Sequence, residues 1–385
     1  MERNLFLKEK IPLGIYVHIP WCVEKCPYCD FNSHKLKSEN PPEIDYIKRL
    51  EHEMRQYAKL VAEREVRSIF FGGGTPSIMS GTGINSIITL LNKYFKISKS
   101  VEITLEANPG TVDQHKFSEF KAAGVNRLSL GIQSFNDKLL VELGRIHDSN
   151  TARASIRAAQ KVGFDNINID IMYGLPNQSV SESKDDLYEA LKFKTNHISW
   201  YQLTLEPNTI FYAKPPKIPS SDKIVEIEKH GHEIMARKDM YQYEISAWSK
   251  YGKNKCSHNY NIWQYGDYIG IGAGACGKIT MDNNIIRTMQ TKHPKQYIQG
   301  THNVNDKIVP KKEYLFEFML NHLRLKQPVE YKLITERTGI LTTDFSVYLR
   351  SLDDKFINLN ENKFELTEYG FKFYNDIVAE FMPEE

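Results

Sequence analysis

The sequence has no long hydrophobic run, few cysteines and almost no excess of charge of either sign. Its apolar stretches are broken by polar residues, so none reaches the roughly 20 residues that a transmembrane helix needs. Residues 1–10 show neither an apolar core nor a small-residue cleavage site, so we expect a cytoplasmic protein without a secretory signal. The 50 Lys and Arg residues nearly balance the 48 Asp and Glu residues. This balance argues against a nucleic-acid partner and against direct binding to an anionic membrane.

The remaining composition is that of an ordinary folded protein. With 385 residues, 41% of them hydrophobic and 25% charged, the chain can form a large core and two or three domains. In a reducing compartment its five cysteines are expected to remain free thiols rather than form disulfides. Three of them, Cys22, Cys26 and Cys29, lie within eight residues, and this cluster is the most informative feature of the sequence.

Short β-rich runs alternate with helical patterns over the first two-thirds of the chain. This alternation predicts βαβ units and a parallel sheet. Six such repeats favour an α/β fold with a partial, TIM-like (β/α)6 barrel. The predicted strands are 15–19, 66–71, 101–106, 127–131, 167–172 and 197–204. The predicted helices between them are 44–62, 83–95, 113–123, 150–162 and 183–193.

The pattern changes after Pro207. The prolines of residues 214–219 indicate an extended connector, because proline cannot continue a helix. A helix is predicted over 222–237 and a strand over 242–247, followed by an aromatic- and glycine-rich region over 251–278.

The C-terminal part combines helices with a hairpin. An apolar-periodic helix is predicted over 314–325, and residues 356–359 and 363–366 flank a polar turn. This arrangement resembles a winged-helix module, but it has no concentration of basic residues, so a packing role is favoured over DNA binding. We therefore divide the chain into a barrel (1–238), a β-containing connecting region with a ligand-motif loop (239–310) and a C-terminal α+β, winged-helix-like domain (311–385).

The clustered cysteines directly follow the first predicted strand, at spacings of four and three residues. Three thiolates on one loop can bind a soft metal centre. A zinc site completed by His18 or His34 is one alternative, and a buried group of free thiols is another. Zinc ligands usually come as two separated pairs, which this sequence lacks. The spacing therefore favours a 4Fe–4S cluster with three cysteine-bound irons and one iron open to another ligand.

The segment CVEKCPYC at residues 22–29 resembles the C-x3-C-x2-C signature of the radical S-adenosylmethionine (SAM) superfamily. The resemblance implies a partial (β/α) barrel and a 4Fe–4S cluster on Cys22, Cys26 and Cys29. It also implies that SAM chelates the open iron through its amino and carboxylate groups. An electron from the cluster would then cleave the sulfonium to give a 5′-deoxyadenosyl radical.

Further polar and glycine-rich segments stand at strand ends, where barrel enzymes place their active sites. Residues 71–76, FGGGTP, lack β-carbons at three positions, which permits close approach of a ligand, although a tight turn is the alternative. Glu106, Gln133 and Asp170 would each be a cap or turn residue alone, but together they suit a ribose, an adenine and an amino acid. Arg145 could pair with a ligand carboxylate or be a surface residue at a helix end.

Four segments narrow the resemblance to the HemN/HemW family: HIPWC at 18–22, CPYCDF at 26–31, EANPG at 106–110 and YGLP at 173–176. Residues at the matching positions contact SAM in that family. The resemblance implies this role for Tyr16, Tyr28, Gly73, Gly74, Thr75, Glu106, Gln133, Arg145, Asp170 and Thr204.

Two features separate the subfamilies. Oxygen-independent coproporphyrinogen III oxidases carry a fourth cysteine two positions after the third, where this chain has Phe31. The heme chaperones have phenylalanine there and an H-N-x-x-Y-W motif, and residues 258–263 read HNYNIW, with Ile262 in place of tyrosine. Similarity to the chaperones implies heme bound through His258 and passed to heme-accepting proteins, with the oxidase as the enzymatic alternative. Without the resemblance, His258 would be a hydrogen-bonded structural histidine.

The segment GAGACG at 272–277 fits a dinucleotide-binding pattern but precedes a predicted hairpin over 278–286 rather than a helix. We therefore reject a dinucleotide site. Cys276 is expected to be a small buried thiol, with a soft heme ligand as the alternative, and Cys256 is likewise expected to be structural. The protein is expected to be a monomer or a cluster-dependent dimer, with membrane contact only through an acceptor.

Overall fold

The computed structural model of this protein describes residues 11–61, 63–281, 284–300 and 306–383. Strands and helices alternate in its N-terminal part, up to residue 236. The strands of this part are β1 (Leu13–Ile19), β2 (Trp21–Cys22), β3 (His34–Lys35), β4 (Glu65–Gly73), β5 (Lys96–Ala107), β6 (Arg127–Gln133), β7 (Asn166–Tyr173) and β8 (His197–Gln202). The helices are α1 (Glu43–Val61), α2 (Gly81–Tyr94), α3 (Gln114–Ala122), α4 (Asp137–Glu142), α5 (Ser149–Val162), α6 (Val180–Lys192), α7 (Ile210–Ala213) and α8 (Ser221–Ala236).

The rest of the chain adds shorter elements. Those of the middle part are β9 (Met240–Glu244), β10 (Ala247–Lys250), α9 (Ser257–Trp263), β11 (Asp267–Ile271), β12 (Cys276–Met281), β13 (Asn284–Met289), α10 (Pro294–Ile298) and β14 (Lys307–Ile308). Those of the C-terminal part are α11 (Tyr314–His322), β15 (Val329–Glu330), α12 (Tyr331–Thr338), α13 (Thr342–Ser351), β16 (Ile357–Leu359), β17 (Lys363–Leu366), α14 (Glu368–Lys372) and α15 (Tyr374–Ala379).

Within the described residues, twelve strands form one sheet in the order β14-β13-β12-β11-β1-β4-β5-β6-β7-β8-β10-β9. The strands from β1 to β8 in this order are parallel neighbours. Helices connect them in sequence, as right-handed βαβ crossovers require. The six predicted strands and the parallel sheet are confirmed, with ends that differ by at most five residues.

Alternation along the strands separates the core from the barrel interior. The odd-numbered side chains of β1, from Leu13 to Ile19, are buried in a large apolar core with the inner face of α1. The even-numbered positions point the other way, because successive side chains of a strand alternate. At Gly14 an added β-carbon would lie 2.8 Å from Ser68 Oγ and 3.1 Å from His258 Nδ1. The interior thus receives polar side chains from several strands.

Residues 239–310 extend the same sheet at both edges. β11 is parallel to β1, and β12, β13 and β14 continue antiparallel from it. At the other edge, β10 and β9 continue antiparallel from β8. The single strand predicted over 242–247 is wrong, because a turn at Ile245 and Ser246 divides it into two strands. The hairpin after residue 277 is confirmed, although Asp282 and Asn283, like Ala62 at the end of a predicted helix, lie outside the described residues.

The C-terminal part has its own apolar core around Phe318, Phe345 and Phe364. β15, β17 and β16 form a small antiparallel sheet in that order. The predicted hairpin corresponds to β16 and β17, paired from Ile357–Leu366 to Leu359–Phe364. Tyr265 joins this core, so the unit packs against the middle part of the chain. The three-domain division remains a prediction.

Candidate functional site

A cavity of about 430 Å³ lies inside the partial barrel and opens at the carboxyl ends of its strands. Most of the predicted site residues line it, although they are spread over about 150 residues of sequence. Those that do are Cys22, Cys26, Tyr28, Cys29, Gly73, Gly74, Thr75, Glu106, Gln133, Arg145 and Asp170. The parallel strands bring these residues together, because their carboxyl ends meet at one edge of the barrel.

The glycine-rich turn after β4 holds the cysteine loop. Gly74 N donates to Ile19 O and Thr75 N donates to Trp21 O, both at 2.8 Å. A β-carbon at position 74 would lie 2.5 Å from Trp21 O, so only glycine permits this approach. Thr75 Oγ1 also donates to Cys22 Sγ at 3.4 Å. Glycine here makes room for the backbone of the protein's own cysteine loop. The sequence alone did not indicate this role.

The three cysteines face the cavity as free thiols. Elsewhere, Cys256 is buried, whereas the prediction of a buried thiol at Cys276 is wrong, because this residue is exposed at the start of β12. Cys29 N donates to Cys26 O at 3.1 Å, which folds the loop into a turn. Burial raises the pKa of Cys22 and of Cys29. Thiols of this kind ionise when a metal centre binds them, because the metal displaces the proton. The three thiolate donors therefore fit an iron–sulfur centre.

The histidines of the zinc alternative already have partners. His18 Nε2 lies 2.9 Å from Asn32 O, and its Nδ1 lies 3.1 Å from Tyr16 OH. His34 Nε2 lies 3.3 Å from Asn32 Oδ1. In the described part of the chain, no group of three His, Cys, Asp or Glu side chains is arranged to hold one metal ion. An iron–sulfur cluster has no such requirement, because each thiolate binds a different iron.

Arg145 connects the cysteine loop with β6. Its Nη1 donates to Cys26 Sγ at 3.5 Å, and its Nη2 donates to Gly131 O at 2.7 Å. Nearby, Gln133 has φ of +70° at an irregularity in the pairing of β6 with β7. Such a bulge changes the direction of a side chain, and Gln133 Oε1 accepts a hydrogen bond from Tyr201 OH at 2.8 Å. Arg145, which is partly buried, is therefore part of the site rather than a surface residue at a helix end.

Two acidic residues lie in the cavity wall. Burial, and after it the charge of Asp170, raises the pKa of Glu106 to about 8. Burial also raises the pKa of Asp170, which accepts hydrogen bonds from Asn168 Nδ2 at 2.7 Å and Ser129 Oγ at 3.2 Å. The cavity can therefore accept a cationic group such as the amino group of SAM, which would compensate these carboxylates.

Two residues that the resemblance assigned to SAM lie outside the cavity lining. Tyr16 OH contacts His18 Nδ1, and the Tyr16 ring lies beside Phe70 at 6.2 Å between centroids. Thr204 is exposed, because β8 ends two residues earlier, at Gln202. Its side chain therefore does not line the cavity in this structure.

His258 lies on α9, which packs against β1 and β4 at the deep end of the barrel. Its side chain is buried between aromatic rings, with Phe70 at 5.2 Å and Tyr16 at 6.2 Å between centroids. Nδ1 lies 3.2 Å from Ser68 Oγ, and Nε2 is buried without a hydrogen-bond partner among the described residues. Burial lowers the pKa of His258 to about 3, so the imidazole is neutral. Its neighbours on α9, Asn259 and Trp263, do line the cavity.

The deep half of the cavity is lined by residues that the sequence did not indicate. Its lining includes Arg127, Asn168, His197, Glu244 and Arg324. Alternation within the predicted strands 127–131 and 167–172 carried a signal, because residues two apart share one face. Nothing in the sequence showed that this face is the barrel interior.

Comparisons with known proteins agree with this geometry. The radical SAM superfamily model matches residues 16–188. Heme chaperone HemW of Haemophilus influenzae is 42% identical over 97% of this chain and 99% of its own length. Heme chaperone HemW of Escherichia coli is 40% identical over 97% of this chain and 99% of its own length. The chain belongs to the HemW family of radical SAM proteins.

More distant HemW proteins match as well, since that of Bacillus subtilis is 33% identical over 96% of this chain and 99% of its own length. The crystal structure of the coproporphyrinogen III oxidase HemN from Escherichia coli has a TM-score of 0.82, covering 98% of this chain and 92% of that one. At 22% identity this likeness shows the fold alone. It confirms the predicted α/β fold with a radical SAM barrel. The family implies a 4Fe–4S cluster and SAM, and the thiols and carboxylates of the cavity fit both. Among the described helices, none combines the length and apolarity needed to cross a bilayer.

Proposed function

We propose that this HemW-family protein is a heme chaperone, which binds heme and transfers it to heme-accepting proteins. The observation that carries the proposal is the 40–42% identity with curated heme chaperones over nearly the whole of both chains. Phe31 supports it, because this residue, 60% exposed beside the cysteine loop, stands where the oxidases carry a fourth cysteine. We further propose a cytoplasmic location, with membrane contact only through an acceptor, and a monomer or a cluster-dependent dimer.

Cys22, Cys26 and Cys29 would hold the 4Fe–4S cluster, and SAM would occupy the adjoining cavity. When bound, the cluster supplies one electron and SAM supplies a sulfonium that can be cleaved. The protein's own part is positioning. Arg145, already beside Cys26, is placed to bind the carboxylate of SAM. Glu106, when ionised, would accept a hydrogen bond from the amino group of SAM.

Heme binding through His258 requires a change in the position of α9. Its imidazole is fully enclosed, and a porphyrin cannot reach Nε2 while Phe70 and Tyr16 flank the ring. The neutral imidazole and its unpartnered Nε2 suit an iron ligand once α9 moves. Asn259 and Trp263 connect the same helix to the cavity, so heme binding and SAM binding would influence each other.

The test is a heme titration of protein whose cluster has been reconstituted without oxygen, with and without SAM. We expect a saturable change in the Soret absorption with one heme per chain, and a heme affinity that differs between the two conditions. Absence of saturable heme binding in both conditions would contradict the proposal.

The comparisons do not favour the oxidase alternative, and a second incubation tests it. The same preparation is supplied with coproporphyrinogen III, SAM and a reductant. We expect no protoporphyrinogen, and its formation at a catalytic rate would replace the chaperone proposal with the enzyme.

A further inference from the structure

The cavity extends well past the residues predicted to bind SAM. Gln133 ends β6, whereas Arg127 and His197, the first residues of β6 and β8, also line the cavity. Because a strand rises about 3.3 Å per residue, Arg127 lies roughly 13 Å along β6 from Gly131, where Arg145 binds. Trp263 at the end of α9 borders this deep half. The deep half is therefore a separate place for a ligand.

Arg127 is a buried cation for which the described residues provide no acceptor within hydrogen-bond distance of Nε. Its side chain is 2% exposed, and its Nε has no partner in the described part of the chain. The Glu102 carboxylate lies 4.0 Å from this Nε, which is too far for a hydrogen bond. The charge of Arg127 is thus balanced by Glu102 and Asp170 at a distance rather than through hydrogen bonds. Its hydrogen-bonding groups therefore remain available to a ligand in the cavity.

Glu102 does not fully compensate Arg127, because it has other partners. Its Oε1 accepts hydrogen bonds from Ser257 N at 2.9 Å and from His258 N at 3.4 Å, at the start of α9. The negative charge of Glu102 is thus shared with the unpaired N–H groups of a helix N-terminus. Burial, and after it the charge of Arg127, lowers the pKa of His197, which lines the same cavity.

Several other polar groups of the deep half pair with one another. Asn168 Oδ1 lies 2.6 Å from His197 Nδ1, and Arg324 Nη2 donates to Glu244 Oε1 at 2.6 Å. The Arg324 guanidinium also lies over the Trp263 ring, 4.4 Å from its centroid. Arg324 Nε, like Arg127 Nε, has no partner among the described residues, but Arg324 is held by Glu244 through Nη2. Arg127 lacks such a carboxylate partner within hydrogen-bond distance, so its guanidinium is the better candidate to bind a ligand.

We propose that Arg127 anchors a carboxylate-binding subsite in the deep half of the cavity, and that its ligand is a propionate group of heme. The choice of heme rests on the proposed function, since heme is the carboxylate-bearing ligand that the function supplies. A guanidinium binds a carboxylate with two parallel hydrogen bonds. Trp263 adds an aromatic surface and Asn259 an amide at the same end. The carboxylate of SAM is the other candidate source, and Arg145 at the opposite end is its expected partner.

The test compares heme with heme dimethyl ester, whose propionates carry no charge. Both are titrated into reconstituted wild-type protein and into Arg127→Gln, and SAM binding is measured by equilibrium dialysis on the same samples. Arg153→Gln is the matched control, because Arg153 pairs with Glu189 outside the cavity. We expect wild type and the control to bind heme at least about tenfold more tightly than the ester. Arg127→Gln should lose this preference and retain SAM affinity within about twofold.

Each other result decides against the subsite. Equal binding of heme and ester by wild type overturns the subsite and leaves the chaperone function intact. Binding of neither overturns both proposals. A preference that persists in Arg127→Gln shows that another group holds the propionate, and loss of SAM affinity with an unchanged heme preference assigns Arg127 to SAM. If Arg127→Gln fails to fold, Arg127→Lys keeps the charge beside Glu102 but cannot form the two parallel hydrogen bonds of a guanidinium. The preference for heme should then fall several-fold in Arg127→Lys, and a preference equal to that of wild type would show that no paired guanidinium–carboxylate contact exists and would overturn the proposal.

Discussion

Glu106 and Asp170 lie in the wall of one cavity, and burial together with the charge of Asp170 raises the pKa of Glu106 to about 8. The ordinary pKa of a glutamate is 4.5. Between these values the unfolded chain releases a proton that the folded protein retains. The stabilising contribution of Glu106 is therefore complete below about pH 4.5 and is lost as the pH rises to about 8.

Glu106→Gln removes this titration and keeps a side chain of similar size. We expect the Tm of the variant to exceed that of wild type by an amount that grows from about pH 5 to about pH 8, measured by thermal unfolding without SAM. SAM affinity should fall about tenfold or more at pH 9, where Glu106 is ionised in wild type. A Tm difference that does not change with pH would show that Glu106 is already ionised in the folded protein.

Gly74→Ala should break the contact between the glycine-rich turn and the cysteine loop. The added β-carbon would lie 2.5 Å from Trp21 O, a backbone atom that can move only with the loop. We expect lower stability and substantially less iron bound after reconstitution. Gly252→Ala is the control, because Gly252 has φ of +64° but open space around its Cα. The control should lose about 1 kcal/mol of stability and keep its iron. Equal iron content in the two variants would show that the turn does not position the cysteines.

His258→Ala tests whether this histidine binds heme or only fills the core. His322→Ala is the matched control, since His322 is also a buried imidazole, stacked on Phe318 at 5.2 Å between centroids in the C-terminal core. Both variants should lose about 2 kcal/mol of stability in denaturant unfolding, because each leaves a cavity. Only His258→Ala should weaken heme binding in a Soret titration. A similar loss of heme affinity in both variants would indicate a general effect of destabilisation.

Thr204 and Thr75 provide a comparison within the predicted SAM residues. The Thr204 side chain is exposed, whereas Thr75 lines the cavity and donates to Cys22 Sγ. We expect Thr204→Ala to keep SAM affinity within about twofold and Thr75→Val to lower it about tenfold, by equilibrium dialysis of reconstituted protein. A loss of SAM affinity in Thr204→Ala would show that SAM binding draws this residue into the cavity.

The sequence predicted the barrel strands well because each is a buried apolar run bounded by glycine, proline or polar residues. It failed between Gln242 and Ala247, where β-prone residues continue through a turn that contains no glycine or proline. It also missed α9, since the seven residues Ser257–Trp263 show no apolar periodicity. The local sequence signals are weak at both places. The pairing of β10 with β8 determines the structure at the first, and the contacts of α9 with β1 and β4 determine it at the second.

Some residues of the candidate site could be predicted from the sequence, and others could not. The cysteines and the glycine-rich turn stand in continuous motifs, so the sequence found them. Arg127 begins a strand and resembles a surface arginine in the sequence, and only the closure of the sheet makes it an interior residue. The buried position of His258 likewise depends on Phe70 and Tyr16, which are far from it in the sequence.

The central claim of this account is the proposed 4Fe–4S cluster on Cys22, Cys26 and Cys29. Its most direct test is a measurement of iron, sulfide and zinc per chain in protein purified and reconstituted without oxygen, compared with a variant in which all three cysteines are serine. We expect about four irons and four sulfides per chain in wild type and almost none in the variant. One zinc per chain, with no uptake of iron or sulfide, would contradict the account.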